Sequence, residues 1–323
     1  MKVLLAAPIA DGQTWVHIKK AFEKEECEVK VCEPKNVKGL YKTALKFKPD
    51  LIMCAQKKEL TEAVKQIKAD KNLSSVIVLW NVDARADVFR WKELWELMKA
   101  CDFHMSVSKK HVEDYNKRNI GKCVWFPQAA GRDVYKKPIN ISEQDKKKYS
   151  CDVSFVGNIN NFLHKGRAEI LDTIEKTKGI SFKRFGYSGN GKVYNGEHNK
   201  VCSLSKICIG CSAFPNNGSY TSVRDYKILA AGGFLLTRKY DGVEDLFCVE
   251  EGSEEVITYS GAKDCERKIL FYLEHPERRK RISEAGYQSI IKRHTYNHRV
   301  KEIIRLVNEY SNDNKLIPKV EYR

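Results

Sequence analysis

Short apolar runs alternate with amphipathic stretches along most of the chain. The runs at 2–8, 28–32, 49–54, 76–80 and 103–107 have the length and apolar character of strands. Between them, 15–26 carries Trp15, Ile18 and Phe22 on one helical face. A basic helix precedes residue 49, and helical patterns cover 60–71 and 91–100. Alternation of this kind predicts a doubly wound parallel sheet, whose ligands bind beyond the carboxyl ends of the strands. Three loops therefore matter: 11–15, 81–87 and 108–111. In the second, Asp83 and Arg85 directly follow an apolar strand. Asp83 either projects into the crevice or caps the helix that follows. His104 lies inside a strand, where a core role is expected.

The periodicity breaks over 126–149, at Pro127, Gly131 and Pro138, and a second α/β pattern follows. This divides the chain into a domain at 1–135, a linker at 136–150, a domain at 151–300, and a helix and tail at 301–323. The second pattern opens with a strand at 151–156 that ends in Gly157-Asn158. A helix at 167–176, a strand at 182–185, a loop at 187–199 and a strand at 205–210 come next. After a last strand at 255–259, helical patterns fill 262–274 and 282–310, and the terminal helix is expected to brace the first domain. The strand–glycine–loop–helix entry at Gly157 is a phosphate-facing device, although its spacing fits neither a P-loop nor a dinucleotide fingerprint.

The most informative stretch is 224–237. Arg224 and Lys227 stand early in a short helix, near its positive end, where anions bind. Gly232-Gly233 ends the helix, and 234–236 reads as a buried strand. The pattern fits an anion crevice and equally an ordinary turn with solvated charges.

Composition narrows the function. At 323 residues the chain exceeds one ordinary core. No apolar run approaches the roughly 20 residues of a membrane span. The 58 Lys and Arg outnumber the 42 Asp and Glu, a net charge of +16 that favours polyanionic partners: nucleic acid, phosphorylated substrates or an anionic membrane face. Eleven scattered cysteines read as reduced core thiols of a cytoplasmic protein. Cys208 and Cys211 have paired spacing, but no second pair completes a zinc site.

From Asp152 onward the ordered motifs resemble the spore-maturation CgeB-like glycosyltransferases. They are Asp152–Asn158, Ser205–Ile207, Arg224–Tyr226 with Ala231–Thr237, Leu246-Phe247, Tyr272–Pro276, Ile282–Gly286 and His294–Arg299. The first half matches more loosely, through Trp80-Asn81, Asp83 and Val124–Pro127. The resemblance implies a GT-B fold: two Rossmann-like domains facing across a cleft, with the nucleotide-sugar donor on the second and the acceptor on the first. Gly157, Asn158, Lys206, Arg224, Lys227, Gly232 and Gly233 would then bind the donor, most simply a UDP-sugar. Gly12, Gln13, Trp15 and Arg85 would meet the acceptor, and Asp83 would be the general base if the reaction inverts configuration, whereas a retaining reaction needs no such base. No metal or cofactor is implied, because a guanidinium and backbone N–H groups stabilise the departing diphosphate.

The acceptor would be a cell-surface glycan or a lipid-linked precursor at an anionic surface, allowing peripheral membrane contact. Hydroxymethylated pyrimidines of DNA are the alternative, since basic loops at 35–48 and 109–118 could track phosphates. A catalytically silent nucleotide- or carbohydrate-binding protein is a second alternative. One departure stands out. Relatives carry a carboxylate, which accepts from the donor ribose, where this chain has Lys227, and an ammonium has no acceptor. Lys227 would contact phosphate, ribose recognition would pass to Asp225 or Glu244, or donor binding would weaken.

Overall fold

The computed structural model describes residues 1–10, 12–34, 37–158, 166–186, 189–312 and 322. The chain forms two compact units, one from Met1–Pro127 with the helix that begins at Tyr296, the other from Gln128–Thr295.

The first unit runs β1 (Lys2–Ala6), α1 (Thr14–Lys24), β2 (Glu28–Cys32), α2 (Val37–Phe47), β3 (Leu51–Cys54), α3 (Thr61–Ala69), β4 (Val76–Asn81), α4 (Trp95–Ala100), β5 (Phe103–Ser106), α5 (Lys109–Lys117) and β6 (Cys123–Trp125). A 3₁₀ segment, Val88–Leu94, leads into α4. All neighbours pair in parallel, in the order β2-β1-β3-β4-β5-β6. Every residue of β3 and β4 is buried, which explains why these strands read as continuous apolar runs. Leu4, Ile52, Ile77 and Leu79 of the sheet share one core with Leu40, Val64, Ile67 and Leu97 of the helices.

In the second unit come α6 (Glu143–Tyr149), β7 (Cys151–Val156), α7 (Arg167–Lys176), β8 (Phe182–Phe185), α8 (Asn195–Leu204), β9 (Ser205–Gly210), α9 (Val223–Ala230), β10 (Leu235–Arg238), β11 (Ile257–Tyr259), α10 (Ala262–Glu274) and α11 (Pro276–Arg293). Its parallel sheet is ordered β11-β10-β9-β7-β8. Val153, Ile207, Ile209 and Leu236 pack with Ile170, Ile174, Ile269 and Ile282.

The terminal helix α12 (Tyr296–Asn312) belongs to the first unit, as the bracing helix of the sequence reading requires. Tyr296 stacks on His17 at 5.9 Å, and the fully buried Arg299 donates from Nε to the Pro127 carbonyl at 3.0 Å. The helix begins five residues before the expected boundary at 301.

The expected linker at 136–150 is corrected. It contains α6, closed by a reciprocal Ser142–Asp145 capping box, and Asp145 pairs with Lys200 of α8 at 2.9 Å. The ion pair to Lys200 and the Tyr149 hydroxyl, which donates to Glu197 of α8 at 2.5 Å, fix this segment to the second unit. The stretches 35–48 and 109–118, anticipated as basic loops, are largely the helices α2 and α5. The loop expected at 187–199 ends in α8, whose polar sequence lacks an apolar stripe. All eleven cysteines are free, and ten are buried.

Candidate active site

Strand order fixes where each unit can hold a ligand. In the second unit the chain leaves β7 for β8 on one side and returns to β9 on the other. The crevice therefore opens between the carboxyl ends of β7 and β9, at Gly157 and Cys211. Helix α9 links the parallel strands β9 and β10, so its first turn stands at this same edge. Ser222 caps it, its hydroxyl accepting from the Arg224 N–H at 3.3 Å.

Arg224 lies across the crevice floor. Its Nε donates to the Val156 carbonyl at 2.6 Å and its Nη1 to the Cys211 carbonyl at 3.4 Å, with the guanidinium 5.0 Å over the Phe155 ring. Gly157 makes room for it: a Cβ there would come within 2.5 Å of Arg224 Nη2. A second guanidinium, from Arg167 at the first position of α7, shares the Cys211 carbonyl with Arg224. It is buried and donates to the carbonyls of Asn158 at 2.7 Å and Cys211 at 2.5 Å. Both arginines stand in the first turn of a helix, where the macrodipole disfavours a cation and favours an anion beside it.

Lys227 projects one turn after Arg224 on the same face of α9, with its Nζ 4.4 Å over the Tyr135 ring. Among the described residues, none of these three cations forms an ion pair with a carboxylate. The consequences are consistent. Burial and then the Arg224 charge lower Lys227 to about 8 and Arg167 to about 10. The buried His198 falls to about 3, first through burial and then through Lys227 and Arg224, so it is neutral.

Asp225 is fully buried, and its Oδ2 accepts from Thr221 Oγ1 at 2.6 Å and Thr237 Oγ1 at 2.7 Å. A carboxylate so enclosed is not available to a ribose, which corrects one reading of the Lys227 departure. Glu244 remains exposed in the 3₁₀ turn after β10.

Three donor assignments are corrected by position. Gly232 and Gly233 close α9 at its far end. An eight-residue helix is about 12 Å long, so the pair stands at the opposite edge of the sheet from Arg224. Their role is steric: Gly232 takes φ +77°, and a Cβ on Gly233 would meet the Cys202 carbonyl at 2.9 Å. Lys206 is the second residue of β9, about 13 Å of strand from Gly210, and is held by Asp152 at 2.8 Å. Asn158 stays at the crevice, bonded through its carbonyl. The loop after it lies outside the described residues.

In the first unit the switch point falls between β1 and β3. Gln56, just past β3, donates from Nε2 to Asp83 Oδ2 at 3.0 Å and accepts from the Val82 N–H at 3.0 Å. This brackets Asp83 at the carboxyl edge of the sheet. Asp83 is exposed, so the upward push of desolvation on its pKa is opposed by solvent as well as by Gln56 and Arg85. The capping role belongs instead to Asp87, whose side chain accepts from the Arg90 N–H at 3.1 Å.

Gly12 and Gln13 are exposed at the same edge, while Asp11 lies outside the described residues. Trp15 is corrected: it is buried, edge-on to Trp80 at 6.5 Å, as its place on the apolar face of α1 requires. Arg85 turns back on its own segment, 3.7 Å over Trp91 and 3.3 Å from Glu93. His104 is a core residue, its Nε2 2.7 Å from the Ile120 carbonyl, with burial lowering it to about 4. Sequence reasoning missed Arg167 and Gln56. The signal for Arg167 was a cation opening a helix just after a glycine loop. Gln56 left none.

Residues 167–305, which include Arg167, Cys211, Arg224 and Lys227 of the crevice, match a family model described as "Glycosyl transferase-like". No curated protein matches the sequence. Among solved structures, a sucrose-phosphate synthase from Thermosynechococcus elongatus superposes with a TM-score of 0.69 at 11% identity, over 95% of this chain and 98% of that one. HepE of Anabaena, in complex with UDP and glucose, gives 0.67 at 12%, over 96% and 100%. An alpha-glucosyltransferase in complex with UDP-glucose and DNA containing an abasic site gives 0.62 at 14%, over 95% and 98%. The fold is the two-domain GT-B fold along nearly the whole chain. Among the described residues, no helix is long and apolar enough to cross a membrane, and no three metal-ligating side chains converge.

Proposed function

We propose that the protein is a metal-independent glycosyltransferase of the CgeB-like group that takes a UDP-sugar in the second unit. One observation carries this reading: Arg224 and Lys227 share one face at the start of α9, at the β7/β9 switch point, without a carboxylate partner among the described residues. A donor diphosphate brings two negative charges, which these two cations match. Lys227 takes phosphate rather than ribose, and Glu244 is the carboxylate left to meet the ribose hydroxyls. As the glycosidic bond breaks, negative charge grows on the leaving diphosphate, and fixed cations stabilise it where it develops. This charge-matched geometry favours an active enzyme over a silent binding protein.

Acceptor chemistry belongs to the first unit, with Asp83 as the base if configuration inverts. The net charge of +16 suits an acceptor at an anionic surface in the cytoplasm, and DNA is the second reading that the same charge supports. Nucleoside diphosphates titrated into the protein by calorimetry test the donor assignment. UDP is expected to bind, and Arg224→Ala to weaken it by roughly 10- to 100-fold, as loss of charge-assisted hydrogen bonds implies. Absence of binding by any nucleoside diphosphate refutes it. Asp83→Asn with full turnover removes Asp83 as base. Absence of low-salt binding to plain and hydroxymethylated duplexes removes DNA.

A further inference from the structure

The carboxylate of Asp225 is fully buried and joins three parts of the second unit. It stands in the first turn of α9, next to Arg224. Its Oδ2 accepts from Thr221, which ends the loop entering α9, and from Thr237 of β10. Thr221 Oγ1 lies 3.2 Å from Ser212 Oγ, and the same Ser212 hydroxyl accepts from the Ser222 N–H at 3.0 Å. All four side chains of this network are essentially buried.

Below it, Gly210 ends β9 in register with Thr237. A Cβ at Gly210 would strike the Thr237 hydroxyl and lie 2.7 Å from Asp225 Oδ1. The end of β9, the strand β10 and the start of α9 are thus keyed together by one side chain. Oδ1 itself has no hydrogen-bond partner among the described residues. Burial raises the Asp225 pKa, while the two hydroxyls and the charges of Arg224 and Arg167 oppose that rise. A charge buried at such cost is often no better for stability than an apolar isostere, which points to a positional role.

Resting on the donor-site reading above, we infer that Asp225 is a positioning residue. Through Thr221 and Thr237 it fixes the first turn of α9, and so holds the Arg224 guanidinium over the β7/β9 crevice. A double-mutant cycle tests this. UDP affinity is measured by calorimetry for the full-length protein, Asp225→Asn, Arg224→Lys and the pair, with Thr237→Val as a second probe of the network. Asp225→Asn is expected to raise the Kd roughly tenfold, the scale of a charged hydrogen bond, and under about threefold when Arg224 is already lysine. Thr237→Val should weaken binding in the same Arg224-dependent way, which keeps the inference testable should Asp225→Asn fail to fold.

Equal losses in both backgrounds, or unchanged affinity in Asp225→Asn and Thr237→Val, overturn the positioning role and leave the donor site standing. Absence of UDP binding by the unaltered protein overturns both. A merely structural network lowers the melting temperature without coupling to Arg224.

Discussion

Lys227 gives the sharpest perturbation, because its charge can be removed by pH alone. Burial and then the Arg224 charge hold it at about 8, well below an ordinary lysine. Only the protonated form attracts a diphosphate, so affinity is greatest below pH 8 and falls as pH rises through it. A group with that pKa is about nine-tenths protonated at pH 7 and about one-tenth at pH 9, which predicts a fall of about tenfold. UDP-glucose is the right probe, since its diphosphate is esterified at both ends and does not titrate in this range. Titration calorimetry between pH 7 and 9 reads the effect, with Lys227→Met as the control for every other group. The variant should bind more weakly at pH 7 and lose most of the slope. A profile equally steep in Lys227→Met refutes the assignment of that proton to Lys227.

Three further outcomes follow from geometry. Gly157→Ala places a methyl against the end of the Arg224 side chain, so donor affinity should fall several-fold while the melting temperature moves little, measured side by side. Gly210→Ala meets the enclosed Thr237 and Asp225 groups instead, and should cost about 1–3 kcal/mol of stability by denaturant unfolding. Lys206→Ala, at the far edge of the sheet, should leave UDP affinity unchanged in the same titration.

Much of the fold was legible because central strands are buried on both faces and read as apolar runs, while the helices between them carry a stripe. The elements that escaped lacked those signals. Helix α8 is polar along most of its length, and β6 has only three residues. At the site, Arg224 was visible because a cation in the first turn of a helix needs a reason to be there. Gly232 and Gly233 misled, because neighbours in sequence were read as neighbours in space. A helix carries the chain to the other edge of the sheet before the glycines appear. Trp15 had two readings, and its place on the apolar face of α1 prevailed. Gln56 and the Asp225 network depend on strands meeting side by side, which no local pattern encodes.

The donor site is the central claim, and UDP binding by the unaltered protein and by Arg224→Ala tests it most directly. Saturable binding by calorimetry, weakened roughly 10- to 100-fold in the variant, is the predicted result. Equal affinity in the two proteins, or no heat of binding in either, would contradict it.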